Sequence, residues 1–598
     1  MKRLISLALA AAAMITGAAA QNLNPTVEVT RSYEGRLLEV HKPSFGMAVP
    51  DSLLHFDLDF DYSVFDNPYK GAGDFQPYLT DMKPQAVPDP GRTLYVRAGA
   101  GWTLHPDLDV VWSPLRTGRF QLNAYASHHS YIGKFRNIFA SRKEAAAEDF
   151  RLVSRRETHV DGSPYPRTHS GYDMQSQAGL SGSYAWSDGS LLFDLGYEGI
   201  HVKDSLLQDG YDAMHVGLRV KSSSQAQDYF FYDAGIRYRF AVDGIRSVGA
   251  ERQLLDLGDF ELDGSFGPVV GGAHRFLVGV EAGFTSYSDL FKAQVGHVYV
   301  TPRYVFDRDR WRLSLGVKSG AVINSEDQWM GYKLNGTGGQ IVYPDVRIGY
   351  EAVRDYLNLY LRVTGGDRIH SFSSMKASHH FFNPWFGRAE GPLLDNGVER
   401  FDAAAGLQGN IATRLRYDLR AGYASYRNGL LDAVFAGSNF ASVPQELCAG
   451  VSFHDYNRFY TQLDFLWDGT AFTFDGSLAY QSTNVWKARM NGFEPARLSG
   501  TVRGLYRWNR RVSAGAYAEA ASARRGTIRP LSDSISPETW YPARIPGYVD
   551  LGLTGEYRTG RNLSVWGQVG NLLDRTIQRH PLYPDSGINF RVGICLNL

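Results

Sequence analysis

Tyr548-Val-Asp-Leu-Gly-Leu-Thr-Gly-Glu-Tyr-Arg558 decides how this chain folds. One parity carries Val549, Leu551, Leu553, Gly555 and Tyr557; the other carries Asp550, Gly552, Thr554, Glu556 and Arg558. A strand sends successive side chains to opposite faces, so one face here is apolar and the other charged. From Gly547 to Leu598 the sequence alternates, turns, alternates again and stops on a strand. A closed transmembrane barrel finishes in this way, with lipid on its outer face and water or protein within.

The same alternation recurs upstream. Trp311, Leu313, Leu315 and Val317 oppose Arg312, Ser314, Gly316 and Lys318. Leu357, Leu359, Leu361 and Val363 oppose Tyr356, Asn358, Tyr360, Arg362 and Thr364. Residues 414–423 and 458–468 repeat it, with Arg414, Arg416, Asp418 and Arg420 on one polar face and Gln462, Asp464 and Asp468 on the other. These polar faces are too charged for a sandwich, whose layers must share a dry core, and suit a barrel. Turns such as Asp307-Arg308-Asp309-Arg310 alternate with long loops at about 132–174 and 366–396. Residues 92–598 number 507 (598 − 91). At roughly 23 residues per strand and connection, that makes about 22 strands. The run Ser141–Asp149 is expected to form a turn or two of helix on the first long loop.

The N-terminus reads as a cleavable export signal over residues 1–20. Met1-Lys2-Arg3 is basic, Leu4–Ile15 is apolar but too short to span a bilayer, and Ala18-Ala19-Ala20 is a small-residue cleavage site before Gln21. The 62 basic and 62 acidic residues cancel; without Lys2 and Arg3 the balance is 60 − 62, or −2, so no nucleic-acid partner is indicated. The 35 Tyr and 33 Phe are enough to furnish interfacial girdles and a lipid face. Cys448 and Cys595 do not make a disulfide framework and are expected to be free and inert.

Leu563-Ser-Val-Trp-Gly-Gln-Val-Gly-Asn-Leu-Leu-Asp-Arg575, followed by Tyr583-Pro584, Gly587 and Phe590, resembles the closing strands of TonB-dependent receptors. That family carries an Asn-Asn-Leu-Phe-Asp-like turn there; Gly570 and Leu573 replace two of its positions, and Leu598 stands where Phe is usual. Asn383-Pro384 and the hairpin around 397–425 also resemble that family's barrel. The resemblance covers about 93–598 and implies solute uptake across an outer membrane. Residues 21–91 are shorter than the family's plug domain and lack its Arg-Gly and Asp-Gly-Val pairs, so they are expected to form a periplasmic or lumenal lead-in in place of a plug. Asn24–Thr30 reads either as a TonB box, which adds a strand to its partner, or as a string with no such role.

Catalytic signatures are absent: Gly179-Leu-Ser-Gly-Ser183 fails the nucleophile-elbow pattern, and there is no His-Glu-x-x-His and no P-loop. The chain is therefore not expected to be an enzyme or to carry a cofactor. Asp57, Asp59 and Asp61 read as calcium ligands or, more simply, as one solvated strand face. His128-His129 and His379-His380 are adjacent, so each pair points to opposite faces of a strand and cannot chelate together. Arg362, Arg414, Arg416, Asp418, Arg420, Asp550, Glu556 and Arg558 are candidate lumen charges. They either steer anions or pair with acidic neighbours. His379, His380, Phe381, Phe382 and Trp385 are candidate loop contacts, for a partner or a carbohydrate ring, or else part of an interfacial girdle.

The expectation is an all-β chain: a large antiparallel transmembrane β-barrel with short periplasmic turns and long extracellular loops, in the outer membrane. Its partners would be outer-membrane lipid, the barrel-assembly machinery, and TonB or an outer-membrane partner protein or lipoprotein. Solute passage is the leading function. The alternative is a non-conducting scaffold barrel within an assembly, export or lipoprotein complex.

Overall fold

The computed structural model describes residues 93–598, apart from 103, 116–117, 143–148, 155–163, 206, 224–227, 248–252, 290–291, 325–341, 355, 383–395, 412–413, 437–446, 486–491, 510 and 531–540. The export signal, the lead-in at 21–91 with Asn24–Thr30 and its three aspartates, Asn383-Pro384 and Trp385 all lie outside the described residues.

Twenty-two strands form a closed antiparallel barrel. Each pairs with the next wall strand along the chain, from Leu94–Trp102 and Asp107–Leu115 onward. Asn589–Asn597 closes the ring by pairing with Leu94–Trp102, in the register Val96↔Leu596 and Gly99↔Gly593. Closure leaves no wall edge unpaired, and so satisfies the backbone where no water is available to do it. No described helix is long and apolar enough to cross a membrane.

Alternation sets the two faces. Leu195, Val216, Leu218, Tyr238, Phe276, Leu315, Leu361 and Leu419 are exposed around the outside. Their neighbours in sequence, among them Asp194, Arg219, Arg237 and Arg362, turn inward. The connections also divide into two kinds. At one rim they are tight: residues 187–188, 271–273 and 309–310, the last being the turn expected at Asp307–Arg310. At the other rim they include the long segments 137–167, 370–395 and 571–588. We call these the turn rim and the loop rim.

A smaller sheet stands over the loop rim. Phe139–Arg142 pairs with Phe150–Val153, and Phe150-Arg151 runs parallel to Ala543-Arg544 of the strand Tyr541–Ile545. That strand pairs with Arg524–Pro530, whose Ile528–Pro530 runs parallel to Val434–Ala436, the tip of the wall strand Leu415–Ala436. Ile138, Leu152, Val434, Leu447, Phe493, Ile528 and Ile545 form its core. Ser141 and Arg142 thus belong to a strand rather than to the expected helix. They pair with Arg151 and Phe150, and the rest of that run, 143–148, lies outside the described residues. The helix in the described residues, Phe372–Ser378, lies instead on the second long loop.

Candidate functional site

The lumen wall is built from charges held by cross-strand geometry. Tyr360 on the strand Leu357–Ile369 lies flat over Gly406 of the next strand, where a β-carbon would collide with its ring. Its hydroxyl thereby reaches one strand further and donates to Asp418 at 2.7 Å. Tyr460 makes the reverse journey over Gly422 to donate to Asp402, also at 2.7 Å. Together the two tyrosines lace four neighbouring strands and fix the carboxylates that face inward. Arg362 completes the group by pairing with Asp402 at 3.2 Å.

The remaining candidate charges fall in several places. Arg420 lies between Asp418 at 3.8 Å and Asp464 at 3.5 Å. Arg416 is exposed on the same face, and Arg414 sits in the turn that follows Ile411. Asp550 is at the loop-rim end of its strand, where it accepts from the Asn571 amide and pairs with Arg579 at 3.4 Å. Glu556 and Arg558 lie at the turn-rim end of the same strand. Sequence reasoning did not single out several stronger pairs. Arg219 bridges Asp233 at 2.7 Å and Asp263 at 3.1 Å, and Lys318 meets Glu281 at 2.7 Å. Their hydration differs from place to place: Arg503, paired with Asp475 at 2.9 Å, keeps 56% of its side chain exposed, whereas the side chain of Arg219 is mostly buried.

The loop-rim end of the lumen is crossed by residues 370–382. Ser371 caps the short helix by accepting from the Ser374 amide at 3.2 Å. Phe372 and Met375, three residues apart and so on one helical face, are buried against Tyr211, Leu257 and Tyr287 of the wall. The Tyr287 hydroxyl accepts from the Phe372 amide at 3.1 Å. Lys376 is fully buried, ion-paired with the equally buried Asp209, and donates to the Phe382 carbonyl at 3.3 Å. Beyond the helix, Phe381 stacks on Tyr583 at 4.7 Å and meets Phe135 edge-on at 5.9 Å. His379 stacks on His580 at 4.1 Å, and His380 contacts Asp173 at 2.7 Å.

These contacts define a bridge. The segment springs from between Leu357–Ile369 and Asn396–Ile411, yet it reaches Phe135 and Asp173 on wall strands nearly opposite in the ring order. His379, Phe381 and Phe382 are therefore turned into the barrel mouth and packed against it. Burial, together with the nearby His580 and Lys376, holds His379 well below the usual imidazole range, and burial lowers His580 as well. Among the described residues, His379 Nε2 and His580 Nδ1 are buried without a hydrogen-bond partner. No group of His, Cys, Asp and Glu among the described residues is arranged to hold a metal ion.

The far side of the bridge rests on residues 571–588. Asn571 adopts a left-handed backbone (φ +46°), which asparagine tolerates better than most residues. Its Nδ2 donates to the carbonyls of Arg575 (2.8 Å) and Ser586 (3.1 Å), and its Oδ1 accepts from the Arg575 amide at 3.0 Å. Asp574 then binds Arg136 at 2.7 Å. The Asn-Leu-Leu-Asp stretch thus ties the loop carrying His580 and Tyr583 to the barrel wall.

Comparisons with solved structures agree on this architecture. The chain is similar to a copper transporter, OprC (TM-score 0.55, 14% identity, 85% of this chain and 80% of that one). It is similar to the FrpB iron transporter of Neisseria meningitidis (TM-score 0.59, 8% identity, 85% and 81%). The siderophore receptor PiuA of Acinetobacter baumannii is a third (TM-score 0.56, 9% identity, 85% and 82%). At these identities the likeness is one of fold. No family model matches the sequence, and no curated protein matches it. Neither Cys448 nor Cys595 forms a disulfide among the described residues.

Proposed function

We propose that this protein is an outer-membrane uptake barrel whose outer mouth is closed by its own residues 370–382 and opens to admit a solute. In this reading the turn rim is periplasmic and the loop rim extracellular. The observation that carries it is the pairing of a charge-lined interior, hydrated at Arg416, Arg503 and Asp475, with a dry aromatic closure across one end. A barrel used only as a scaffold has no need to keep charges such as Arg503 and Asp475 hydrated inside a sealed mouth, and could fill its lumen with apolar side chains instead. The resemblance of the 563–590 stretch to TonB-dependent receptors supports the same reading, as do structural neighbours described as transporters of copper and iron and as siderophore receptors. Arg362, Arg416, Asp418, Arg420, Asp550, Glu556 and Arg558 would then set the charge selectivity of the path, with Arg414 at its periplasmic exit.

Planar-bilayer conductance tests this. The wild type is expected to show few or no openings. A variant with residues 371–382 replaced by a Gly/Ser linker should give large steps, as should the same variant lacking residues 21–91. Silence of the linker variant with and without 21–91 would favour the scaffold alternative. Large, steady steps from the wild type would make the barrel an ungated channel. Deleting residues 24–30 and measuring uptake in cells tests whether TonB supplies the energy.

A further inference from the structure

The barrel wall has a notch on its outer face. The hairpin of Leu94–Trp102 and Asp107–Leu115 is short, whereas the next strand, Phe120–Arg136, runs well above it; among the described residues it is followed upward by the bond from the Ser130 amide to the Pro106 carbonyl and the bridge Leu104↔Ile132. Residues 586–589 border the other side of the gap, and Arg136, bound to Asp574, crosses its top. The result is a cavity of about 640 Å³ at the loop rim. Its floor is apolar and outward-facing: Trp102 is 65% exposed, and Leu104 and Ile588 are more than half exposed. These side chains share their parity with Val592 and Ile594, part of the outer apolar band, so the cavity opens toward lipid.

Above this floor the outer face turns basic. Lys134 is exposed, directly across from Ser170, and makes no side-chain hydrogen bond or ion pair among the described residues. Lys203 is exposed on the same outer face, in register with Tyr172, which pairs in turn with Ile132. Lys134 lies two residues beyond Ile132 and two strand spacings from Lys203, so the two backbones are about 12 Å apart, with Tyr172 on the strand between. Two flexible lysine stems can therefore converge on one headgroup. An acyl chain matches the floor and an anion matches the two lysines, in the order in which a lipid presents its tail and headgroup. Asp574 is the opposing charge at this site, and Arg136 already neutralises it.

We propose that this notch binds one molecule of a phosphorylated glycolipid from the outer leaflet, with an acyl chain over Trp102, Leu104 and Ile588 and a phosphate held by Lys134 and Lys203. The choice of a glycolipid over a glycerophospholipid rests on the orientation proposed above, which places the loop rim in the glycolipid leaflet. The lysines contribute charge-assisted contacts that a neutral lipid cannot satisfy.

The test compares the full-length wild type with Lys134→Ala/Lys203→Ala and Lys134→Arg/Lys203→Arg, extracted in mild detergent and washed extensively. Bound lipid is identified and counted by native mass spectrometry, and gel mobility before and after boiling verifies a folded barrel in each case. The wild type and the arginine variant are expected to retain about one glycolipid per barrel, and the alanine variant at least tenfold less. Leu104→Glu, which keeps both lysines, should lose retention to a similar degree. Equal retention by all four proteins would overturn the proposal, as would an empty wild type that stays empty when glycolipid is added back. A glycerophospholipid in the notch would overturn the assigned lipid class. The bilayer recordings read uptake independently: a silent barrel with a full notch would sink the transport reading and leave this one standing.

Discussion

Lys376→Met removes the cation from a fully buried pair and leaves Asp209 without its partner inside the barrel mouth. Breaking a buried ion pair from one side costs about 3–5 kcal/mol, because the remaining charge is desolvated and uncompensated. The wall strands do not depend on this contact, since their backbone bonds run strand to strand, so the cost falls on the seating of residues 370–382. At about 1.4 kcal/mol per tenfold, the ratio of seated to released segment should fall roughly a hundred- to a few-thousand-fold. Met375→Cys in a Cys448→Ser/Cys595→Ser background reports this directly, because Met375 is buried in the seated state. Its maleimide labelling should be slow with Lys376 in place and should accelerate by two orders of magnitude or more with Lys376→Met. Lys376→Met/Asp209→Leu should restore slow labelling, since replacing both partners leaves no orphaned charge. If Lys376→Met labels at the parent rate, the aromatic packing alone seats the segment and the pair is not its latch.

Three further outcomes follow from the same geometry. His379 and His580 are held neutral in the seated state with lowered pKa values, while a released imidazole titrates near 6.5. Above that pH neither state gains a proton and the stacking is fully present; below it only the released state takes up protons, so closure weakens. Labelling of the Met375→Cys reporter, divided at each pH by the rate of the same thiol in the unfolded chain because maleimide takes only the thiolate, should therefore be faster at pH 5 than at pH 7.5, and His379→Gln/His580→Gln should flatten the difference. Asn571→Ala keeps a β-carbon at φ +46° but loses the three side-chain hydrogen bonds that favour asparagine there, a cost of about 3 kcal/mol; the temperature of the gel-mobility shift should fall, with Asn571→Gly intermediate. Arg420→Ala breaks half-exposed pairs and should change stability by less than about 1 kcal/mol. In the linker variant it should shift the reversal potential toward cation preference, measured under a salt gradient.

The wall of this protein is legible in its sequence because lipid and water impose opposite demands on alternate residues. The strands around 311–318, 357–364, 415–423 and 548–558 follow directly from that alternation, and the strand number follows from the repeat length. The site is legible only as a set of polar positions. Which carboxylate Tyr360 reaches depends on Gly406 lying beside it, and that is a matter of register between strands rather than of any local pattern. The bridge was harder still. The aromatic run after His379 is visible in the sequence, but its inward turn is decided by Tyr211, Tyr287, Phe135 and Tyr583, all distant in sequence. The helix before it has only Phe372 and Met375 as an apolar face, too short a repeat to stand out. In the run Ser141–Asp149 the alanines and charges favour a helix locally, yet Ser141 and Arg142 pair with Phe150–Val153 as a strand, because a partner strand decides what local propensity does not.

The seam between Leu94–Trp102 and Asn589–Asn597 has a consequence for assembly. Every other ladder of the ring joins consecutive wall strands and needs only the segment between them to fold back. The seam joins Val96 to Leu596, 500 positions apart (596 − 96). Bringing such distant ends together costs about 5–6 kcal/mol in chain entropy and is repaid only when the full ladder zips. Until that moment the growing sheet has two bare edges, each a template for pairing with a neighbour. The ring is thus the last and most fragile step of its own construction. A one-residue slip there would meet the twenty-one other interfaces already fixed, with lipid-facing and lumen-facing side chains exchanged across a single join.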